Sequence, residues 1–147
     1  MLDVLIKDGD VYDGTGEQPI KANIAIKDGK IVDIGTIHGE ADNVLDASDL
    51  VVCPGFIDLH THSDFTLAAN GRAESQVHQG VTTEVVGQCG VSCAPAKSQS
   101  DIALMSPGFI DGAVEANWRS FKEYLDHLSK TPLGVNVAAF VGHGTIH

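Results

Sequence analysis

The chain has 147 residues, 43% of them hydrophobic, with 20 acidic side chains against 9 basic ones and a net charge of −11. That length suits one modest domain able to bury a core, and the apolar content is that of a globular chain rather than a disordered one. So acidic a surface repels phosphates, which argues against nucleic acid and anionic membranes as partners, and says little about a small substrate, whose site can differ from the average surface.

The opening MLDVLIKDGDVYDG has no basic stretch followed by a long apolar one, so no signal peptide is expected. No apolar run is long enough to span a bilayer. Cys53, Cys89 and Cys93 do not make a disulfide framework. Together these features point to the cytoplasm. They give no oligomeric state.

The first fifty residues read as short strands: 4–7, 11–14, 23–26 and 30–34. Asp8-Gly9 and Asp28-Gly29 separate alternating apolar runs, which is a hairpin signal because type I′ turns need positive φ. Residues 1–50 are therefore expected to form a small antiparallel β unit, too small to stand alone. Next, Val51-Val52-Cys53 runs through Pro54-Gly55 into Phe56-Ile57-Asp58-Leu59-His60-Thr61-His62, a nearly continuous apolar stretch expected to be a strand buried on both faces. A helix is expected over 72–79, stopped by Gly80. A β-branched strand follows over 81–86.

Residues 94–116 have no clear period and read as an irregular loop with one short helical piece. Pro-Gly-Phe-Ile-Asp recurs at 107–111 without histidines, and the echo carries no function. Asn117 is a candidate cap for a helix with Trp118, Phe121, Leu125 and Leu128 on one stripe. A third strand is expected over 135–141, closed by Gly142-His143-Gly144. Strand, helix, strand, helix, strand in that order suggests βαβ units and a parallel sheet, of which a closed barrel needs eight strands.

His60 and His62 are two apart on the expected strand, so they share a face with Asp58, with Cα atoms about 6.5–7 Å apart. Two imidazoles placed so can lean onto one ion through bonds of about 2.0–2.1 Å. The competing reading is a polar strand end meeting only solvent. The preceding Pro-Gly-Phe-Ile-Asp favours the metal role.

This stretch resembles the amidohydrolase superfamily, whose first barrel strand commonly reads Pro-Gly-x-Ile-Asp and ends in His-x-His. Gly87-Gln88-Cys89-Gly90-Val91-Ser92, with Ala94-Pro95, is similar to the Gly-Asn-Cys-Gly-x-Ser pattern of the N-acyl-D-amino-acid deacylases, the D-aminoacylases. There the cysteine is a zinc ligand, and a thiolate suits zinc. Gln88 departs from the usual asparagine. The competing reading of Cys89 is a small buried residue in a glycine-flanked turn.

Asp13-Gly14-Thr15-Gly16 resembles the group's early turn, or is a plain loop. Asp64, following the histidine pair, either steadies a ligand by a hydrogen bond or caps the next helix. Gly142-His143-Gly144-Thr145 resembles a stretch near the substrate, with a solvent-facing or capping His143 as the alternative. The group has arginine where this chain has His147. His38, His78 and His127 are expected to be solvated, and Cys53 to lie in a core.

The resemblance implies an α/β fold: a partial TIM barrel of the first three β/α units over 51–147, preceded by a small antiparallel β-sandwich segment over 1–50. It implies zinc held by His60, His62 and Cys89, with Asp64 and His143 beside the ligands or the substrate. The reaction implied is hydrolysis of the amide bond of N-acyl-D-amino acids. The family's later histidines and its aspartate base match no position here, so the 147 residues read as an N-terminal fragment, without a catalytic residue and inactive alone. Two rivals remain. One is a cyclic-amide hydrolase such as a hydantoinase or dihydroorotase, against which Cys89 tells because those rely on a later carboxylated lysine. The other is a non-catalytic scaffold, which needs no metal.

Overall fold

The structure is a computed structural model that describes residues 1–98, 100–102 and 116–147. It divides into two compact units, Met1–Pro54 and Gly55–His147.

The first unit is a five-stranded sheet of β1 (Leu2–Val11), β2 (Ile20–Lys27), β3 (Lys30–Gly35), β4 (Ala41–Asp46) and β5 (Val51–Val52). Its order is β3-β2-β1-β4, with β5 also on β1. The β1–β2 and β2–β3 pairs are antiparallel, but β4 and β5 run parallel to β1. The unit is therefore mixed rather than antiparallel. After β3 the chain returns to the far edge of β1 and pairs in the same direction, a step that local turn signals do not encode.

The two Asp-Gly pairs do different work. Asp28 and Gly29 take φ of 50° and 69° and form the expected tight turn between β2 and β3. Asp8-Gly9 makes no hairpin. Asp8 has φ of 61°, and between Ile6↔Ile24 and Gly9↔Ala22 the two residues Lys7 and Asp8 stand opposite Asn23 alone, a bulge inside one continuous strand. A Cβ on Gly9 would lie 2.6 Å from Val52 Cγ2, so only glycine lets β5 close on β1 there. Val11, Ala22 and Ile24 form the buried centre, flanked by Ile6, Ile26 and Val52. Cys53 is exposed rather than core. In the Asp13-Gly14-Thr15 turn, Asp13 Oδ1 accepts from Thr15 N and Oγ1.

The second unit is built on three parallel strands, β6 (Phe56–Asp58), β7 (Val81–Val86) and β8 (Asn136–Ala139), in that order. The apolar run expected as one strand is thus split at Pro54-Gly55, with Val51–Val52 in the other sheet. Phe56 and Ile57 are 59% and 60% exposed, not buried on both faces. Burying a strand on both faces needs a layer over each, and the described residues do not supply both here.

Among the described residues, helices α1 (Asp64–Leu67), α2 (Glu74–Val77), α3 (Phe121–Leu128) and α4 (His143–Ile146) accompany these strands. α2 is shorter than expected because Ala73 sits in the left-handed region at φ 47°, and Gly80, at φ 83°, ends the turn that follows it. Ser120, not Asn117, caps α3. Its hydroxyl accepts from Glu123 N while Glu123 accepts from Ser120 N, a complete capping box. This puts Tyr124 and Leu128 on the buried stripe and leaves Leu125 exposed. Trp118 precedes the helix, and its indole donates to the Cys93 carbonyl at 2.9 Å.

These residues join Phe65, Leu67, Cys93, Ala94 and Val135 in the core. His127 is half-buried there, with its ring 5.0 Å from that of Trp118 and Nε2 3.3 Å from the Ala68 carbonyl. His38 and His78 are exposed, as expected. Residues 100–102 are helical, while most of the loop expected over 94–116 and the echo at 107–111 lie outside the described residues. No helix among the described residues is long and apolar enough to cross a membrane.

Candidate metal centre

The β6–β7 ladder runs from Phe56↔Val81 to Asp58↔Glu84 and then stops. His60 and His62 therefore lie just past the strand end rather than on the strand. Beyond the ladder, Gln88 Nε2 donates to the Leu59 carbonyl at 2.9 Å and Thr61 N to Val85 O at 3.4 Å. Gln88, read only as a departure from asparagine, thus ties the histidine segment to the Cys89 loop. Asp58 Oδ1 accepts from His60 N at 3.1 Å, which fixes the first turn of that segment.

Three side chains converge there. His60 Nε2 lies 2.9 Å from Cys89 Sγ, and the candidate donor atoms of His60, His62 and Cys89 all fall within 4.8 Å of one another. The imidazole rings of His60 and His62 meet edge-on, with centroids 5.8 Å apart. Two nitrogens and a sulfur suit a borderline-soft divalent ion, and tetrahedral bonds of ordinary length would hold the nitrogen and sulfur about 3.5 Å apart. The set fits zinc after a small opening of the His60–Cys89 contact.

Backbone strain marks the same place. Cys89 has φ of 54°, between Gly87 at 83° and Gly90 at 77°. A non-glycine residue in the left-handed region costs of order 1 kcal/mol and persists where surrounding structure enforces it, often at functional sites. Cys89 is exposed, whereas Cys93 is buried and donates towards the Asp64 carbonyl. Burial first, then the Asp64 charge, push the Cys93 thiol well above its ordinary range, so it stays neutral.

Asp64 is 1% exposed. Its carboxylate does not cap α1. Oδ2 accepts instead from the backbone N–H of Cys93 at 2.8 Å, and its carbonyl accepts from the Tyr124 hydroxyl. Burial raises its pKa against the opposing effects of the Cys93 amide and the His62 charge. His143 is exposed at the start of α4, with its ring 4.6 Å from that of His147. The loop carrying it is bonded to the Cys89 loop. Gly144 N donates to Gly90 O, Gly142 N to Ser92 Oγ, and Ser92 N to Thr145 Oγ1.

Sequence reasoning missed Glu84. It lies on β7 with no exposed surface, accepts a hydrogen bond from Ser63 Oγ, and leaves Oε1 without a hydrogen-bond partner among the described residues. The available signal was a carboxylate inside a β-branched run. Burial raises its pKa, the Ser63 hydroxyl opposes the rise, and the negative Asp58 adds to it.

A raised folded pKa means that the native chain holds this proton after the unfolded chain has released it. The stabilisation is complete below the ordinary value of 4.5 and is lost as pH rises through the folded pKa. Glu84→Gln is therefore expected to gain stability over the parent progressively above pH 4.5. Denaturant titrations at pH 4 and 8 check this, and an equal difference at both would contradict it.

The model of the amidohydrolase family matches residues 43–147. The D-aminoacylase of Alcaligenes xylosoxydans xylosoxydans is 37% identical over 146 residues, covering 99% of this chain and 30% of that protein. The N-acyl-D-aspartate deacylase of the same organism is 36% identical over 98% of this chain and 29% of its own length. Among solved structures, a D-aminoacylase with a binuclear metal centre superposes with a TM-score of 0.87 at 33% identity, over 99% of this chain and 31% of that one. The N-acyl-D-glutamate deacylase of Bordetella bronchiseptica, complexed with zinc and a phosphonate inhibitor, gives 0.83 at 35% identity, over 99% and 30%. The chain thus spans about 30% of the length of the curated relatives it matches. With its metal-type donor set at the strand ends and a family match over more than two thirds of its residues, the chain belongs to the amidohydrolase family.

Proposed function

We propose that these 147 residues supply one part of an enzyme that hydrolyses the amide bond of N-acyl-D-amino acids with the help of zinc, and that alone they do not catalyse it. The observation that carries this reading is the meeting of the Cys89 thiol with the His60 and His62 imidazoles. In this reading residues 1–50 are a small β-sandwich segment and 51–147 the first three β/α units of a TIM barrel, whose active sites lie at the C-terminal ends of the strands. The position of all three donors just beyond β6 and β7 supports it.

His60, His62 and Cys89 would hold the ion, Cys89 as the thiolate. Zinc there supplies Lewis acidity, which polarises an amide carbonyl and makes water acidic enough to ionise near neutral pH. Asp64 holds the Cys93 amide and so steadies the loop that carries Cys89. His143, on the loop bonded to Gly90 and Ser92, would face the substrate.

The test is release of free amino acid from N-acetyl-D-aspartate, N-acetyl-D-glutamate and N-acetyl-D-methionine by the zinc-loaded full-length protein, beside the L-enantiomers, a hydantoin, and the 147 residues alone, which are expected to release none. D-selective release that disappears with a chelator is expected. Opening of the hydantoin alone, or turnover indifferent to metal, would overturn the reading.

A further inference from the structure

The ladder between β6 and β7 ends at Asp58↔Glu84, so the metal donors sit on chain that regular pairing no longer holds. Two buried side-chain bonds take over, both from the residues directly after His62. Ser63, 5% exposed, donates to Glu84 on β7, and Asp64, 1% exposed, accepts from Cys93 N. They bracket Cys89, one landing five residues before it and the other four residues after.

A carboxyl group with no exposed surface is a costly occupant of a strand, and an apolar side chain there would be cheaper for stability alone. We propose that Glu84 is a positioning residue for the metal donors: through Ser63 it fixes the His60–His62 segment against β7, and with the Asp64–Cys93 bond it sets that segment's distance to Cys89. The inference rests on the reading that these three side chains bind a metal. Its physical basis is preorganisation, since donors already in place need less ordering when the ion arrives.

Cobalt(II) titration of the metal-free full-length protein tests it, with absorption of the thiolate–cobalt bond as the readout. Ser63→Ala combined with Glu84→Leu replaces the latch by an apolar pair. It is expected to keep or raise thermal stability yet to weaken cobalt binding roughly tenfold, the low end of what indirect ligand support usually contributes. Glu84→Gln, whose amide oxygen still accepts from Ser63, should retain parental affinity. Leu128→Ala, a core change away from the latch, should lower stability and leave affinity unchanged.

Parental cobalt affinity and spectrum in the double variant would overturn the proposal. So would a loss of cobalt affinity in Glu84→Ala no greater than that in Leu128→Ala, or failure of both the double variant and Glu84→Ala to fold, which a purely structural role explains. A Cys89→Ala protein with the parental spectrum would overturn the metal reading itself. Loss of that band in Cys89→Ala beside full binding in the latch variants would remove only the present inference.

Discussion

Cys89→Ala is expected to lower zinc affinity by roughly 100-fold or more, because a thiolate ligand contributes several kcal/mol to a zinc site at neutral pH. The change is clean in structural terms. Cys89 is exposed, so little packing is lost, and alanine keeps a Cβ, so the left-handed strain at φ 54° stays the same. Thermal stability of the metal-free protein should therefore barely move while metal content collapses. Cys93→Ala is the contrast: it removes a buried, neutral thiol from the core and costs on the order of 1 kcal/mol with zinc content unchanged. Elemental analysis after dialysis against buffered zinc reads both. Equal zinc in Cys89→Ala and parent, or loss in Cys93→Ala alone, would place the thiol ligand elsewhere.

The convergence of His60, His62 and Cys89 was legible for two reasons: the histidines are neighbours in the chain, and the resemblance of the Cys89 pattern to that of the deacylases joined a residue 29 positions away to them. His60 and His62 are two residues apart, and Cys89 sits in a short glycine-flanked pattern. What remained hidden was pairing across distance. Ser63 and Glu84 are 21 residues apart, and nothing near either names the other. The same limit applies to β4 and β5, whose parallel return to β1 depends on the free edge of β1 rather than on their own residues. Asp8-Gly9 and Asp28-Gly29 are identical dipeptides with different outcomes. Beyond the first, β1 resumes its ladder with β2 under the side chain of Val52; beyond the second, the chain turns back along β2 as β3. The α3 stripe was misread because Trp118 resembles a first helical residue. The Ser120–Glu123 capping box starts the helix later and hands the buried face to Tyr124.

Gly87→Ala should destabilise the protein by roughly 2–5 kcal/mol, combining about 1–2 for a left-handed backbone with 1–3 for overpacking. Gly87 has φ of 83°, and an added Cβ would lie 2.0 Å from the carbonyl oxygen of Phe140. The obstacle is backbone, so no rotamer relieves it. Relief requires the end of β8 to move away from β7, breaking the bond from Phe140 N to Val86 O at 3.0 Å. Gln88 and Cys89 follow Gly87 directly, so the part of that separation taken up by Gly87 carries the sulfur off the histidine pair. Gly80→Ala separates the two causes. Gly80 also has φ of 83°, but its added Cβ would meet only the Phe56 ring at 3.4 Å, an ordinary contact with a movable side chain. That variant should lose about 1 kcal/mol and bind cobalt normally. Thermal unfolding and cobalt titration of the pair decide the matter: matching losses in both would mean that the tight approach of β8 to Gly87 does not set the position of Cys89.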